Sequence, residues 1–124
     1  MPMLIRRCDP AQAQDVTMDG VTGVAMQMLV GRDDAAPNFA MRHFVVQPGG
    51  HTPQHSHPWE HEVFVVEGQL CVECNDEQHV ISAGDAIFVP SDSMHQFTNE
   101  SNQPARFLCL VPLEFECGCD VPGS

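Results

Sequence analysis

Short apolar runs divided by turn residues are the feature that most limits how this chain can fold. The runs are rich in valine, isoleucine and phenylalanine and have the length of strands, whereas the periodicity of an amphipathic helix is scarce. Between the runs stand clusters that favour turns: Pro48-Gly49-Gly50, Glu67-Gly68, Asn75-Asp76, Ala83-Gly84-Asp85, Pro90-Ser91-Asp92 and Asn102-Gln103-Pro104. This pattern predicts an antiparallel all-β domain, either a sandwich or a barrel.

The same pattern predicts where the strands lie. They are expected at Ala25–Val30, Asn38–Gln47, Glu62–Val66, Gln69–Cys74, His79–Ile81, Ala86–Val89, Gln96–Asn99 and Ala105–Val111. A chain of 124 residues has the size of one domain, which buries roughly two-thirds of the surface of its unfolded chain. We therefore expect a single domain over residues 1–124, with a barrel at about 17–112, an N-terminal arm at 1–16 and a C-terminal tail at 113–124.

The net charge indicates which partners are expected, and the hydropathy indicates which cellular compartment is expected. Seventeen acidic and five basic residues give a formal net charge of −12, which repels polyanions and makes nucleic acid and anionic membranes poor partners. No apolar run approaches the ~20 residues of a membrane helix, and the N-terminal residues lack the apolar stretch of a secretory signal. We therefore expect a cytoplasmic protein.

The six cysteines are expected to be reduced, because nothing in the sequence indicates an oxidising compartment. Cys71 and Cys74 are three positions apart in a predicted strand, which sends their thiols to opposite faces and argues against a shared zinc ion. Cys117-Gly118-Cys119 lies in the predicted tail. It could bind a metal or oxidise, but a plain tail is the simpler interpretation.

Residues 55–62, HSHPWEHE, contain three of the seven histidines of the chain. Side chains alternate along a strand, so His55 and His57 would share a face, and His61 has the same parity. Neutral imidazole is a common protein ligand for divalent metals, and three on one wall suit a metal site. Surface histidines in a polar loop are the alternative, but the spacing and the apolar strand that follows favour the metal site.

Two segments resemble the conserved motifs of the cupin superfamily. GGHTPQHSHPWEHEVFVVEG, residues 49–68, is similar to the first motif, and GDAIFVPSDSMHQFTN, residues 84–99, is similar to the second. The spacing of the second motif is matched by Gly84, Pro90, His95 and Asn99. Asp92 departs from the pattern, which commonly has glycine there, although aspartate tolerates the left-handed conformation better than most residues. The resemblance implies an antiparallel double-stranded β-helix, the jelly-roll barrel of the cupins, with a metal inside it.

Most of residues 36–112 further resembles a branch of small single-domain cupins that hold manganese with four histidines, usually as a homodimer. The resemblance implies His95 as a ligand from a separate strand. Manganese is the first expectation for the metal, and iron, nickel, zinc and copper are compatible with histidine ligands. Four neutral imidazoles leave the full charge of a divalent ion, so the site is expected to favour anionic or enolate-like ligands.

The family pattern leaves two candidates for the third ligand, His61 and Glu62. The count back from the hairpin glycine, Gly68, favours His61, and Glu62 belongs to the strand face opposite His57. Glu62 is therefore expected to face outward or to support a ligand. The predicted metal ligands are His55, His57, His61 and His95.

Three further residues are candidates for the substrate pocket. The resemblance implies that Phe107 and Cys109 face the metal: Phe107 would stack on a flat substrate or pack in the core, and Cys109 would be a small buried side chain. Arg42 would grip a carboxylate beside the metal if it points inward, and would otherwise face solvent. Trp59 is expected to pack at the rim of the barrel. The histidines expected to be structural or at the surface are His43, His51 and His79.

Three functions are compatible with such a site. The first is a metal-dependent oxidoreductase, such as a manganese- or iron-dependent dioxygenase, acting on a small anionic or enolisable molecule. The second is a non-enzymatic module in which the metal holds a small ligand or stabilises the barrel. The third is an isomerase or lyase for sugars, in which the metal acts as a Lewis acid without redox change. Dependence on oxygen separates the first from the third.

Overall fold

The computed structural model describes residues 2–113 of the chain. These residues form nine strands and two one-turn 3₁₀ helices, at Pro10–Gln12 and Arg32–Asp34. The strands are β1 (Gln14–Asp15), β2 (Thr22–Val30), β3 (Phe39–His51), β4 (His61–Glu67), β5 (Gln69–Cys74), β6 (Glu77–Ser82), β7 (Ala86–Val89), β8 (His95–Thr98) and β9 (Ala105–Pro112). The eight predicted strands are all present, whereas the two-residue β1 was not predicted.

The strands form one antiparallel sheet that curls on itself. Their order is β6-β5-β8-β3-β9-β4-β7, with β2 paired to β3 and β1 paired to β2. The long strand β3 allows the curl because it changes neighbour along its length: residues 39–46 pair with β9, whereas His51 pairs with Thr98 of β8. The expected all-β jelly-roll barrel is confirmed.

Strand β3 bends at Pro48-Gly49-Gly50, which the sequence pattern predicts to be a turn. That prediction is wrong, because the strand continues through these residues to His51. A Cβ on Gly50 would lie 2.8 Å from the carbonyl oxygens of both Thr22 and Gly23, so only glycine allows the two backbones to approach this closely. The segment therefore bends a strand instead of reversing the chain.

Alternating burial separates the inner face of the barrel from its outer face. The inward residues of β4 are His61, Val63 and Val65, and those of β9 are Phe107, Cys109 and Val111. Glu62 is exposed on the outer face, as the parity of β4 predicts. Inside the barrel, Phe107 stacks between Phe44 and Phe97 with ring centroids 5.0 and 5.2 Å apart, respectively. This aromatic stack is part of the core that borders the histidines.

The N-terminal arm lies along the edge of the sheet. Strand β1 pairs with β2, and the Gln27 side chain of β2 exchanges hydrogen bonds with the backbone of the arm. Arg6 donates to the carboxylate of Asp34 and to the carbonyl oxygen of Leu29. Gln14–Asp15, near the end of the predicted arm, therefore extend the barrel sheet as β1.

Three further predictions concern the membrane, the tail and the cysteines. Within residues 2–113 the structure has no helix long and apolar enough to cross a membrane. The predicted tail, with Cys117-Gly118-Cys119, lies outside the described residues. The described cysteines, all free thiols, are Cys8, Cys71, Cys74 and Cys109.

Candidate metal centre

Four histidine rings converge on the inner side of the sheet. His55 and His57 come from the loop between β3 and β4, whereas His61 is the first residue of β4 and His95 the first of β8. Neighbouring ring centroids lie between 4.4 and 5.1 Å apart. The parity argument treated His55 and His57 as part of a strand, but the segment is a loop in which His55 forms an isolated bridge to His95.

Backbone hydrogen bonds hold this loop against β8. His55 and His95 exchange two of them, with N···O distances of 3.2 and 2.9 Å, and the amide of Asp92 donates to the carbonyl oxygen of His57 at 2.7 Å. Asp92 has φ +63°, so it adopts the left-handed conformation that glycine commonly supplies in the family motif. The aspartate therefore keeps the turn that positions His57 and His95 together.

Hydrogen bonds to the backbone set which ring nitrogen of His57 and His95 faces the cluster. Nδ1 of His57 lies 2.9 Å from the carbonyl oxygen of Trp59, and Nδ1 of His95 lies 2.9 Å from that of Ser93. Because a carbonyl oxygen can only accept, each Nδ1 carries the proton and each Nε2 presents its lone pair to the cluster. The buried Trp59 ring also stacks on His57, with centroids 4.2 Å apart and planes 6° apart. Trp59 thus packs against a candidate ligand.

His61 enters the cluster from the opposite wall. Its Nε2 lies 2.7 Å from Nε2 of His57, and its Nδ1 lies 3.3 Å from Sγ of Cys109. One ligand atom from each of His55, His57 and His95 lies within 4.8 Å of the others. His61 therefore adjoins this group through His57.

Burial keeps the imidazoles of His57 and His61 neutral. It lowers the pKa of His57 from 6.5 to about 4, with a further contribution from His95, and the pKa of His61 to about 2, with a further contribution from His57. His61 and His95 are buried, whereas His55 and His57 are partly exposed. Converging neutral imidazoles are a donor set that first-row divalent ions bind, so the cluster fits a divalent metal site.

The comparison with protein families agrees with the fold. The family model for the cupin domain matches residues 42–111, which is 70 of the 124 residues and includes all four histidines of the cluster. The chain belongs to the cupin family. The predicted cupin resemblance is confirmed, and membership of the four-histidine manganese branch stays a prediction.

This cupin is similar to several proteins of bacterial metabolism. The solved structure of the polyketide cyclase RemF from Streptomyces resistomycificus superposes with a TM-score of 0.79 and 32% identity, covering 88% of this chain and 80% of RemF. Polyketide synthase CurC of Streptomyces cyaneus is 35% identical over 71 residues, which are 56% of this chain and 46% of CurC. The 1-methylthio-D-xylulose 5-phosphate methylsulfurylase of Rhodospirillum rubrum is 30% identical over 74 residues, 60% of this chain and 47% of that protein. The chain spans about half the length of these two curated relatives.

The candidate pocket residues of this cupin all lie on the inner face. Arg42 is fully buried, its Nη2 donates to Sγ of Cys109 at 3.4 Å, and its guanidinium carbon lies 5.2 Å from the Phe44 ring centroid. The solvent-facing alternative for Arg42 is therefore wrong. Burial raises the pKa of the Cys109 thiol, and Arg42 partly offsets this effect. Phe107 is 2% exposed within the aromatic stack, which supports the packing interpretation over contact with a substrate.

Two buried polar residues, Thr52 and Asn99, hold the barrel together around the cluster through hydrogen bonds, and the sequence did not predict this role. The Thr52 hydroxyl accepts a hydrogen bond from the amide of Phe97 at 2.9 Å. The Asn99 side-chain amide donates to the carbonyl oxygens of Val46 and Gln103 at 2.9 and 2.7 Å. The family spacing marked Asn99 without indicating a role, and a threonine next to a proline gives no signal of burial.

His43 is a structural residue, although its burial was not foreseen. It is fully buried on the side of β3 opposite Arg42, and its Nε2 accepts from Nη1 of Arg106 at 3.2 Å. Burial and the charge of Arg106 lower the pKa of His43, so its ring is neutral. His51 is partly exposed and His79 is exposed, as expected of histidines that are structural or at the surface.

Proposed function

We propose that this cupin is a metal-dependent enzyme that acts on an enolisable carbonyl compound of the polyketide kind. The observation that carries the proposal is the convergence of four histidines on the inner side of the barrel, two of them partly exposed. The substrate class is supported by the likeness to RemF, named a polyketide cyclase, and to CurC, named a polyketide synthase. Carbon atoms that lie between two carbonyl groups enolise readily, which is the property that such a site would use.

The proposed ligands are His55, His57, His61 and His95. Manganese is the first expectation for the metal, with iron, nickel, zinc and copper as alternatives. When bound, the ion would supply Lewis-acid polarisation of a carbonyl or enolate oxygen. The carbonyl oxygens of Trp59 and Ser93 orient two of the imidazoles by accepting hydrogen bonds from their Nδ1–H groups, which makes those rings better electron donors.

Arg42 is proposed to favour an anionic or enolate-like substrate. Its guanidinium is buried on the inner face, and the sulfur of Cys109 contacts both this guanidinium and the ring of His61. A fixed positive charge lowers the free-energy cost of bringing an anionic group into an otherwise apolar barrel. The Phe97 ring lies 6.5 Å from the His95 ring, so the aromatic core borders the centre on that side.

Elemental analysis tests the metal site. The wild-type chain and two single variants, His57→Ala and His79→Ala, are purified without added metal and analysed for first-row metals. His79 is an exposed histidine on β6 and serves as the matched control. We expect metal in the wild type and in His79→Ala and a large loss in His57→Ala. Equal metal content in all three proteins would contradict the site.

Turnover assays test the substrate class. The metal-loaded wild type and the same two variants are incubated with 1,3-diketones and synthetic poly-β-ketones, in air and under anaerobic conditions. We expect consumption of substrate by the wild type and by His79→Ala, but not by His57→Ala, in the presence and in the absence of oxygen. Consumption only with oxygen would favour the oxidoreductase hypothesis, and no consumption of any compound would favour a binding module.

A homodimer is also proposed, and the cytoplasmic location stays a prediction. Phe64 of β4 and Phe88 of β7 are 43% and 57% exposed and lie diagonally across two paired strands on the outer face of the sheet. Phe39 at the start of β3 is 56% exposed. Contiguous exposed apolar side chains are typical of a protein interface.

A further inference from the structure

The histidines of the cluster are not all held in the same way. His57 and His95 each donate from Nδ1 to a backbone carbonyl oxygen, which can only accept. His61 instead places its Nδ1 3.3 Å from the sulfur of Cys109. A thiol can either donate or accept a hydrogen bond, so this partner does not fix the tautomer of His61.

The contact between His57 and His61 determines the tautomer of His61 in this structure. Nδ1 of His57 carries the proton, so its Nε2 can only accept. The hydrogen bond of 2.7 Å between the two Nε2 atoms is therefore donated by His61. Because neutral imidazole carries a single proton, Nδ1 of His61 is then an acceptor, and the Cys109 thiol is its donor.

Coordination of a metal by Nε2 of His61 requires the opposite tautomer. The ring loses the proton on Nε2 to water and gains one on Nδ1, so its charge is unchanged, and Cys109 keeps its proton while its sulfur becomes the acceptor. A backbone carbonyl at the position of Cys109 would favour only this second tautomer. Arg42 donates to the same sulfur at 3.4 Å, which holds it in place behind His61.

We propose that Cys109 is a positioning residue that lets His61 exchange between two tautomers, one bound to His57 and one that presents Nε2 to the metal. His61 is then the exchangeable ligand of the site, whereas His57 and His95 are fixed. This inference rests on the proposed metal site but not on the proposed reaction. It predicts that the tautomer of His61 changes when a metal binds.

Nuclear magnetic resonance of the ¹⁵N-labelled full chain tests the exchange directly. Long-range ¹H–¹⁵N correlation spectra assign the tautomers of His57, His61 and His95 with chelator present and after titration with Zn²⁺. We expect His57 and His95 to carry the proton on Nδ1 in both samples, and His61 to change from Nε2–H to Nδ1–H on addition of zinc. His61 with Nδ1–H in both samples would overturn the proposal.

A cycle of variants tests the role of Cys109. The affinity for Co²⁺, measured by competition with a chelator, is expected to fall about tenfold in Cys109→Ala. The reason is that removal of a residue hydrogen-bonded to a metal-binding histidine typically lowers metal affinity by about 10–100-fold. Cys109→Ser keeps a group that donates and accepts, and is expected to stay close to the wild type. Cys71→Ala removes a partly exposed thiol on β5 and serves as the control. Cys109→Val replaces Cys109→Ala if the alanine variant does not fold.

The background of His61→Ala separates positioning from a structural role. In that background Cys109→Ala is expected to cause no further loss of Co²⁺ affinity, because the ring that Cys109 positions is gone. An equal loss in both backgrounds, or no loss in the wild-type background, would overturn the proposal. Failure of the wild type to bind Co²⁺ and Zn²⁺ would instead refute the metal site itself and with it the proposed function.

Discussion

Replacement of Phe107 by alanine tests whether the aromatic stack is core or substrate-binding surface. The side chain is 2% exposed and its ring stacks between Phe44 and Phe97 at centroid distances of 5.0 and 5.2 Å. Truncation of a buried phenylalanine to alanine costs about 3–5 kcal/mol, and each stacked pair contributes about 0.5–1.5 kcal/mol. We therefore expect a loss near the upper end, about 4–5 kcal/mol, in the free energy of unfolding.

Urea unfolding measures this loss, with a chelator present so that metal binding does not contribute. Phe107→Leu keeps most of the side-chain volume and is expected to cost about 1–2 kcal/mol. Phe88→Ala removes a phenylalanine that is 57% exposed and is expected to change stability by less than about 0.5 kcal/mol in the monomer. A loss below about 1 kcal/mol for Phe107→Ala, similar to that of Phe88→Ala, would refute the packing interpretation.

Three further predictions concern pH, a glycine and the outer face. In protein prepared with a chelator, burial lowers the pKa of His57 in the folded state to about 4, from the ordinary value of 6.5. The unfolded chain therefore takes up the proton first, and stability falls as the pH drops from 6.5 towards 4. A urea midpoint that stays constant or rises over this pH range would contradict the prediction. Gly68 has φ +85°, and a Cβ there would lie 2.7 Å from a backbone oxygen, so Gly68→Ala is expected to lower the free energy of unfolding by about 1–3 kcal/mol. The loss should exceed that of Gly49→Ala, because Gly49 has a similar φ of +80° but open space around it. Equal urea midpoints for the two variants would show that the close contact does not matter. Phe88→Asp is expected to convert a dimer to a monomer in light scattering, whereas Val80→Asp, on exposed β6, leaves the mass unchanged; a wild type that is already monomeric would refute the homodimer.

The strand pattern was predictable because it depends on local sequence. Strands β5 and β7 have the predicted bounds, because residues that favour turns flank them. Gly68 precedes β5, Asn75-Asp76 follows it, and Gly84-Asp85 precedes β7. The bend in β3 was not predictable in the same way. A proline followed by two glycines is typical of a chain reversal, and only the close approach of the Thr22–Gly23 backbone to Gly50 shows that the strand continues.

The histidine cluster was predictable for a different reason. Parity along β4 separates His61 from Glu62, and the structure places them on opposite faces. His55 and His57 were grouped by an argument about strands, yet they meet in a loop that β8 holds through backbone hydrogen bonds. Their rings therefore meet because backbone hydrogen bonds hold the loop, and not because the residues are extended.

The sequence by itself determined the all-β class, the cupin motifs and the residue types that converge, because alternation and turn chemistry act over a few neighbouring residues. Only the tertiary structure decided that Arg42 points inward, that Phe107 packs in the core, and that the sulfur of Cys109 contacts His61. These contacts join strands far apart in the chain. Their geometry depends on how β3, β4 and β9 pair and curl, and no local pattern of residues encodes that register.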